Sequence, residues 1–254
     1  MLDPFADAQA WYDRAQAHIA EYRGLAYGEN DQTWRLHSNR RNDDSFAYSL
    51  RFDRGHLVRL KPIACEVANA LFHSLDNIVA VGARRAEVER GPQITWPWAI
   101  ESDPDSSLEG AVRSAIGRKL CALSKKGFPK PWLTLIADTF AAHAVGLSHI
   151  DVVKEVSLSG KHWELVPTGA NASAISWTLQ GSTQQVIAEI PADHFETNDE
   201  FVFHEGGAIV APHFQMLTGT RLVATAKEFQ PEPVFAFEYT ARFVSTALEK
   251  ARQL

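Results

Sequence analysis

The sequence predicts a single α+β domain: a helical amino-terminal half holding a short β-pair, a mostly antiparallel sheet in the carboxy-terminal half, and a terminal helix. Three observations predict it. Apolar residues recur every three or four positions through most of the first 146 residues. Beyond residue 150 the pattern changes to short runs rich in β-formers, separated by Ser-Gly, Gly-Ser and Gly-Gly turns. Helical periodicity then returns from about Tyr239 to the end. Segregated helices and strands favour α+β over a doubly wound sheet. No linker near residue 150 is long or polar enough to divide the chain, so one domain over 1–254 is expected.

Taken in order, Asp3 supplies an N-cap and Pro4 a first helical position. Phe5, Ala8, Tyr12, Ala15, Ile19 and Tyr22 form the stripe of a first helix that Gly24 is expected to end. Residues 33–39 and 46–60 read as an extended pair around the turn-forming Asn42-Asp43-Asp44. A second helix is expected over 63–82, started by Pro62 and stopped at Gly82. After Trp96-Pro97-Trp98 comes a third helix, opened by a capping box of Ser106 and Glu109. Gly127, Pro129 and Pro131 separate it from a fourth, over about 132–146. Strands are expected at 151–158, 162–166, 174–179, 185–190, 200–204, 209–214 and 221–229.

Composition bounds the class. Of 254 residues 45% are hydrophobic and 22% charged, an ordinary globular balance. Such a chain buries enough surface to need neither disulfides nor metals. Cys65 and Cys121 are expected as buried free thiols in a reducing compartment. The amino terminus lacks the basic and apolar regions of a secretory signal, and no apolar run reaches the roughly 20 residues that span a bilayer. A cytoplasmic protein without membrane partners is expected. Residues 131–254 hold 7 Lys/Arg against 14 Asp/Glu, which argues against a polyanion surface there.

The densest set of functional groups lies on the second helix. At about 100° per residue, Glu66, Asn69, His73, Asp76 and Asn77 share one arc of about 100°. Ile63, Val67, Leu71, Leu75, Ile78 and Val79 fall opposite, as on a helix packed against a core. His73 with Asp76 or Asn77 suits an oriented imidazole, and these five residues are the expected ligand-binding site. The alternatives for the same stripe are a solvent-facing surface or a buried polar network that holds the helix to the sheet.

Other chemistries find less. No H-x-x-x-H, H-x-H or C-x-x-C occurs, and His143 and His149 are six apart, which a regular helix does not converge. No metal and no cofactor are expected. Glu101, Asp103, Asp105 and Glu109 resemble a calcium loop, but Pro104 interrupts it and the central glycine is missing. Arg113, Arg118, Lys119, Lys125, Lys126 and Lys130 form an acid-free run, yet the first three point to different sides of a helix. Nucleic acid is therefore not an expected partner. Arg51 and His56 match the R-x4-H pattern of HEPN-type ribonucleases, but that motif sits on a helix and this stretch reads as extended. Phosphate-binding P-loops, dinucleotide fingerprints and nucleophile elbows are absent.

Leu71, Leu75 and Asp76, with Phe72 and Asn77 beside them, then Pro97, Asp151 and the Lys161-His162 pair, carry one family resemblance. The chain resembles a family of uncharacterised bacterial proteins of similar length. That family is marked by an L-R-x-x-L-D-H-like helix, an F-P-I-like loop and a D-K-H-R-like segment. Phe72 and Asn77 replace the arginine and histidine of the helix motif. The resemblance implies the order of elements and a bacterial origin; it implies no activity. The functional expectation is thus a protein that binds a small molecule or another protein in a cleft beside helix 63–82. The alternative is a metal-independent hydrolase or nuclease with His73 as general base and the 113–130 cations guiding a phosphate-bearing substrate.

Overall fold

The computed structural model describes residues 3–27, 34–88, 94–97, 108–162, 168–172, 174–191, 194–209, 218–222 and 231–254. The expectations at Trp98, Glu101, Asp103, Asp105 and Ser106 lie outside these residues.

The fold is α+β, as the segregation of periodicities predicts. Helix α1 spans Ala6–Tyr27, and the hairpin strands β1 and β2 span Trp34–Arg40 and Phe46–Phe52. The long helix α2 covers Arg54–Arg85, α3 Leu108–Lys125, α4 Lys130–Ala142 and α5 Leu147–His162, with a 3-10 turn at Ala144–Gly146. Then follow β3 (Thr168–Ala172), β4 (Ala174–Thr178), β5 (Gln185–Glu189), the short α6 (His194–Thr197), β6 (Glu200–Gly206) and β7 (Thr218–Leu222). Helix α7, Pro233–Arg252, closes the order. Every described strand pairing is antiparallel, and the strands form three small sheets: β1-β2-β6, β3-β7 and β4-β5.

Two apolar cores result. The first gathers the helices around α2, where Val67, Leu71, Leu75 and Ile78 are fully buried, as the expected phase requires. Its other contributors include Tyr22 of α1, Ile150 and Val153 of α5, and Phe237 and Phe243 of α7. Glu232 caps α7 by accepting from the backbone N–H groups of Val234 and Phe235, and Pro233 opens it. The second core lies between β1-β2-β6 and the β4-β5 hairpin, and holds Leu50, Phe52, Ile175, Trp177, Phe195 and Phe203. Since α2 starts two residues after β2 ends, the junction of the cores falls at Phe52, Asp53 and Arg54.

Several element boundaries differ from the sequence expectation. The segment 151–158 is helical, within α5, although Val152, Val153 and Val156 favour a strand. Ile150, Val153, Val156 and Ser157 are buried at three- and four-residue spacing, so burial against α2 and α7 overrides intrinsic preference. Gly160 consequently lies inside a helix and makes no turn. Residues 54–60 open α2 instead of extending β2, and Pro62 lies inside the helix. The stop expected at Gly82 is a packing notch: α2 continues to Arg85, and an added Cβ at Gly82 would meet Trp132 at 2.7 Å and Phe128 at 2.9 Å. Likewise α1 runs past Gly24, where a Cβ would meet nothing within 4 Å. Cys65 is buried as expected, but Cys121 is exposed on α3.

Among the described residues no single helix is long and apolar enough to cross a membrane. The bent pair formed by α4 and the following helical stretch passes on length and composition together. Its apolar side chains, Trp132, Ile136, Phe140, Ile150 and Val153 among them, are already buried against the other helices. That is what a core helix pair looks like.

Candidate functional site

The polar stripe of α2 is distributed among three neighbours. Glu66 pairs with Arg14 of α1 at 3.1 Å, both half-exposed. Asn69 accepts a hydrogen bond from the Ser157 hydroxyl of α5 at 2.8 Å. The His73 imidazole lies 4.8 Å from the Trp11 ring of α1, which also carries Arg14 at 5.4 Å. Asp76 accepts from the backbone N–H of Trp96 at 2.9 Å, and Asn77 donates to the His73 carbonyl at 2.8 Å. One arc of the helix thus touches α1, α5 and the segment 94–97. Glu66 and His73 converge on the Trp11–Arg14 pair; Asn69 and Asp76 point into different seams.

His143 and His149 do converge, contrary to the expectation from a regular helix. The chain bends by 68° between α4 and the following helix, at the 3-10 turn that separates them. Both rings then meet Tyr239 of α7, each at 5.6 Å between centroids. His143 Nε2 lies 3.0 Å from the Thr246 hydroxyl. Among the described residues no three His, Cys, Asp or Glu side chains group to hold a metal ion.

Burial holds both imidazoles below the ordinary histidine range; Arg242 depresses His143 further, while a hydrogen bond to the Gly146 backbone partly opposes the shift at His149. The unfolded chain therefore binds protons here more readily than the folded protein. Stability falls as pH drops below about 6.5, the unfolded histidine value. Melting temperature measured from about pH 7.5 down to pH 5 should fall more steeply in the wild type than in a His143→Gln/His149→Gln variant. Parallel profiles would contradict this.

Arg118, Lys119, Lys125, Lys126 and Lys130 are exposed on α3 and the start of α4. Lys130 does border a groove of about 540 Å³ with Thr134, Asp138, Lys250, Gln253 and Leu254, where a lysine from each of α4 and α7 faces one aspartate.

A second recess, of about 360 Å³, gathers three arginines. Arg35 of β1, Arg51 of β2 and Arg54 of α2 line it, with Phe52, Asp53, Gly55 and Asp199. The hairpin register places Arg35 directly opposite Arg51, and Arg51 opposite Glu200 of β6. Like charges opposed across a strand pair are unfavourable unless an anion lies near them. Glu200 supplies one, bonding to Arg51 Nε at 3.1 Å. Its carboxyl is held below the usual range by the Ser49 hydroxyl first and by Arg51 next. Arg54 serves another end: it pairs with Asp199 and donates to the Phe195 carbonyl at 2.9 Å, satisfying backbone at the end of α6. The R-x4-H match is split by this geometry, with Arg51 on β2 and His56 inside α2. It is not one helical motif.

No protein-family model, curated protein or solved structure matches the chain. The likeness to the L-R-x-x-L-D-H-marked family has no counterpart among these comparisons, so the geometry alone carries the functional argument.

Proposed function

We propose that this protein acts by binding and that its ligand carries a phosphate or carboxylate group held in the recess at the start of α2. The supporting observation is the convergence of Arg35, Arg51 and Arg54, from three successive elements, on one recess at the junction of the two cores. Guanidinium groups bind oxyanions through paired N–H donors, and recesses of a few hundred Å³ suit small ligands. Arg54 and Glu200 fix the frame, and Arg35 and Arg51 make the contact. The start of α2 adds little, because Asp53 already holds its carboxylate 3.1 Å from where a Cβ on Gly55 would fall. One α+β domain, bacterial and cytoplasmic, is part of the same proposal; α2 supports the single domain because it borders the recess at one end and centres the helical core along the rest. A thermal-shift panel of inorganic phosphate, pyrophosphate and citrate tests the binding. The wild type should gain melting temperature with at least one of them, and Arg51→Ala should lose most of that gain. Equal responses in both proteins would reject the recess.

A second reading keeps the ligand at Glu66, Asn69, His73, Asp76 and Asn77. What favours it is the half-buried His73 lying on Trp11, with Arg14 above the same indole. If those residues line a functional cleft, His73→Ala leaves the melting temperature unchanged and removes a ligand response. If they form a structural seam, the same change lowers stability by about 1 kcal/mol through lost packing and leaves every ligand response in place. We expect the second outcome. A hydrolase built on His73 falls with the first.

A further inference from the structure

The groove between α4 and α7 holds charges that the fold leaves unused. Its volume of about 540 Å³ lies in the range of small-molecule sites, and two helices alone supply its lining. Helix α4 turns Pro131, Thr134, Leu135 and Asp138 to one side, at spacings of three and four, with Lys130 just ahead of them. Lys250 and Gln253 come from the carboxy-terminal end of α7. Leu135 is buried and gives the groove an apolar floor, while Lys130, Thr134, Asp138 and Gln253 are exposed around it. Elsewhere on the surface, cations find carboxylates, as Arg14 finds Glu66 and Arg252 finds Asp3. Here two ammonium groups and a carboxylate share one groove and stay apart. The side chains of Lys130, Asp138 and Lys250 have no hydrogen-bond or ion-pair partner among the described residues, one another included.

We infer that this groove binds a short peptide with free termini, about three residues long, its carboxylate between Lys130 and Lys250, its ammonium group at Asp138 and its apolar middle side chain on Leu135. Charge selects the class of ligand. A lining of both signs suits a zwitterion, whereas a polyanion meets repulsion at Asp138 and a polycation meets it at the two lysines. Separation sets the length. Lys130 and Asp138, the first and last α4 residues on the groove, are eight positions apart, or about 12 Å along the helix axis. A free amino acid carries its two charges on one Cα and reaches one end only, while three extended residues span about 10 Å. Thr134, midway between the two ends, and Gln253 from α7 offer donors and acceptors to the peptide amides. Exposed ion pairs contribute little singly, so both termini must engage at once and salt must weaken the complex. The inference goes beyond the oxyanion reading: no residue of the arginine recess takes part in it.

Titration of isotope-labelled protein with alanyl-leucyl-alanine, followed by NMR shifts of the backbone amides, locates and measures the binding. Saturable shifts are expected at residues 130–138 and 250–253, and affinity should fall with added salt. Acetylating the amino terminus of the peptide, or amidating its carboxy terminus, should each weaken binding about fivefold, the upper end for an exposed ion pair. Asp138→Asn should weaken the free peptide by a similar factor and spare the acetylated one. Lys130→Gln should weaken the free peptide and spare the amidated one. Both positions are exposed, and circular dichroism confirms that the variants fold. Equal affinity for a peptide blocked at both ends would overturn the proposal, as would shifts centred elsewhere or none at millimolar peptide. Free leucine binding as tightly as the tripeptide would overturn it too. So would pyrophosphate that displaces the peptide and binds this groove more tightly, which would make the groove an anion site.

Discussion

Gly82→Ala will destabilise the protein by about 1–2 kcal/mol, against the direction that helix propensity alone dictates. Alanine in place of glycine inside a helix normally gains about 1 kcal/mol. At this position the new Cβ would fall 2.7 and 2.8 Å from two atoms of the Trp132 indole and 2.9 Å from the Phe128 ring. Neither ring has room to retreat: both are almost completely buried, and Trp132 packs on Phe5 and Phe128 at centroid distances of 6.3 and 6.2 Å. Overpacking of a tight core costs about 1–3 kcal/mol and occasionally more, so the steric term exceeds the propensity gain. Chemical denaturation reads the sign. A stabilised Gly82→Ala protein would mean that α4 does not pack against α2 as described.

Trp96→Ala is expected to cost about 3–5 kcal/mol, the range for removing a large buried aromatic. Trp96 is 1% exposed and fits between Phe140 of α4 and Phe243 of α7, at 6.2 and 5.8 Å between ring centroids. Its backbone N–H is anchored by Asp76, so the stripe of α2 and the core of the helical layer meet in one residue. Asp76→Ala should cost about 1–3 kcal/mol by leaving that N–H unsatisfied, while Asp76→Asn, which keeps an acceptor oxygen, should cost less. Equal losses from the two Asp76 variants would show that its charge matters, not the hydrogen bond to Trp96.

How much of this was legible in the sequence varies by element, for physical reasons. The inward face of α2 was legible because Val67, Leu71, Leu75 and Ile78 repeat at helical spacing and face a core. The full role of its polar face was not, since Ser157, Trp11 and Trp96 are 88, 62 and 20 positions away from Asn69, His73 and Asp76 respectively. Segment 151–158 misled because valines signal a strand locally, and only contact with other helices reveals a buried helical face. His143 and His149 were kept apart by assuming a straight helix, when a 68° bend brings both to Tyr239. The recess was within reach. Arg35 and Arg51 are equidistant from Asp43, the centre of the predicted turn, so the hairpin register alone pairs them. What no sequence pattern supplied was Asp199, Glu200 and Phe195, which come from the far end of the chain to hold Arg51 and Arg54 in position.

The central claim is that an oxyanion is held between Arg35 and Arg51. Diffraction from crystals soaked in tungstate, a phosphate-shaped anion with strong anomalous scattering, tests it most directly. The account predicts an anomalous peak within hydrogen-bonding distance of both guanidinium groups, lost in Arg51→Ala crystals. Tungstate bound only between Lys130 and Lys250, with the arginine recess empty, would contradict it.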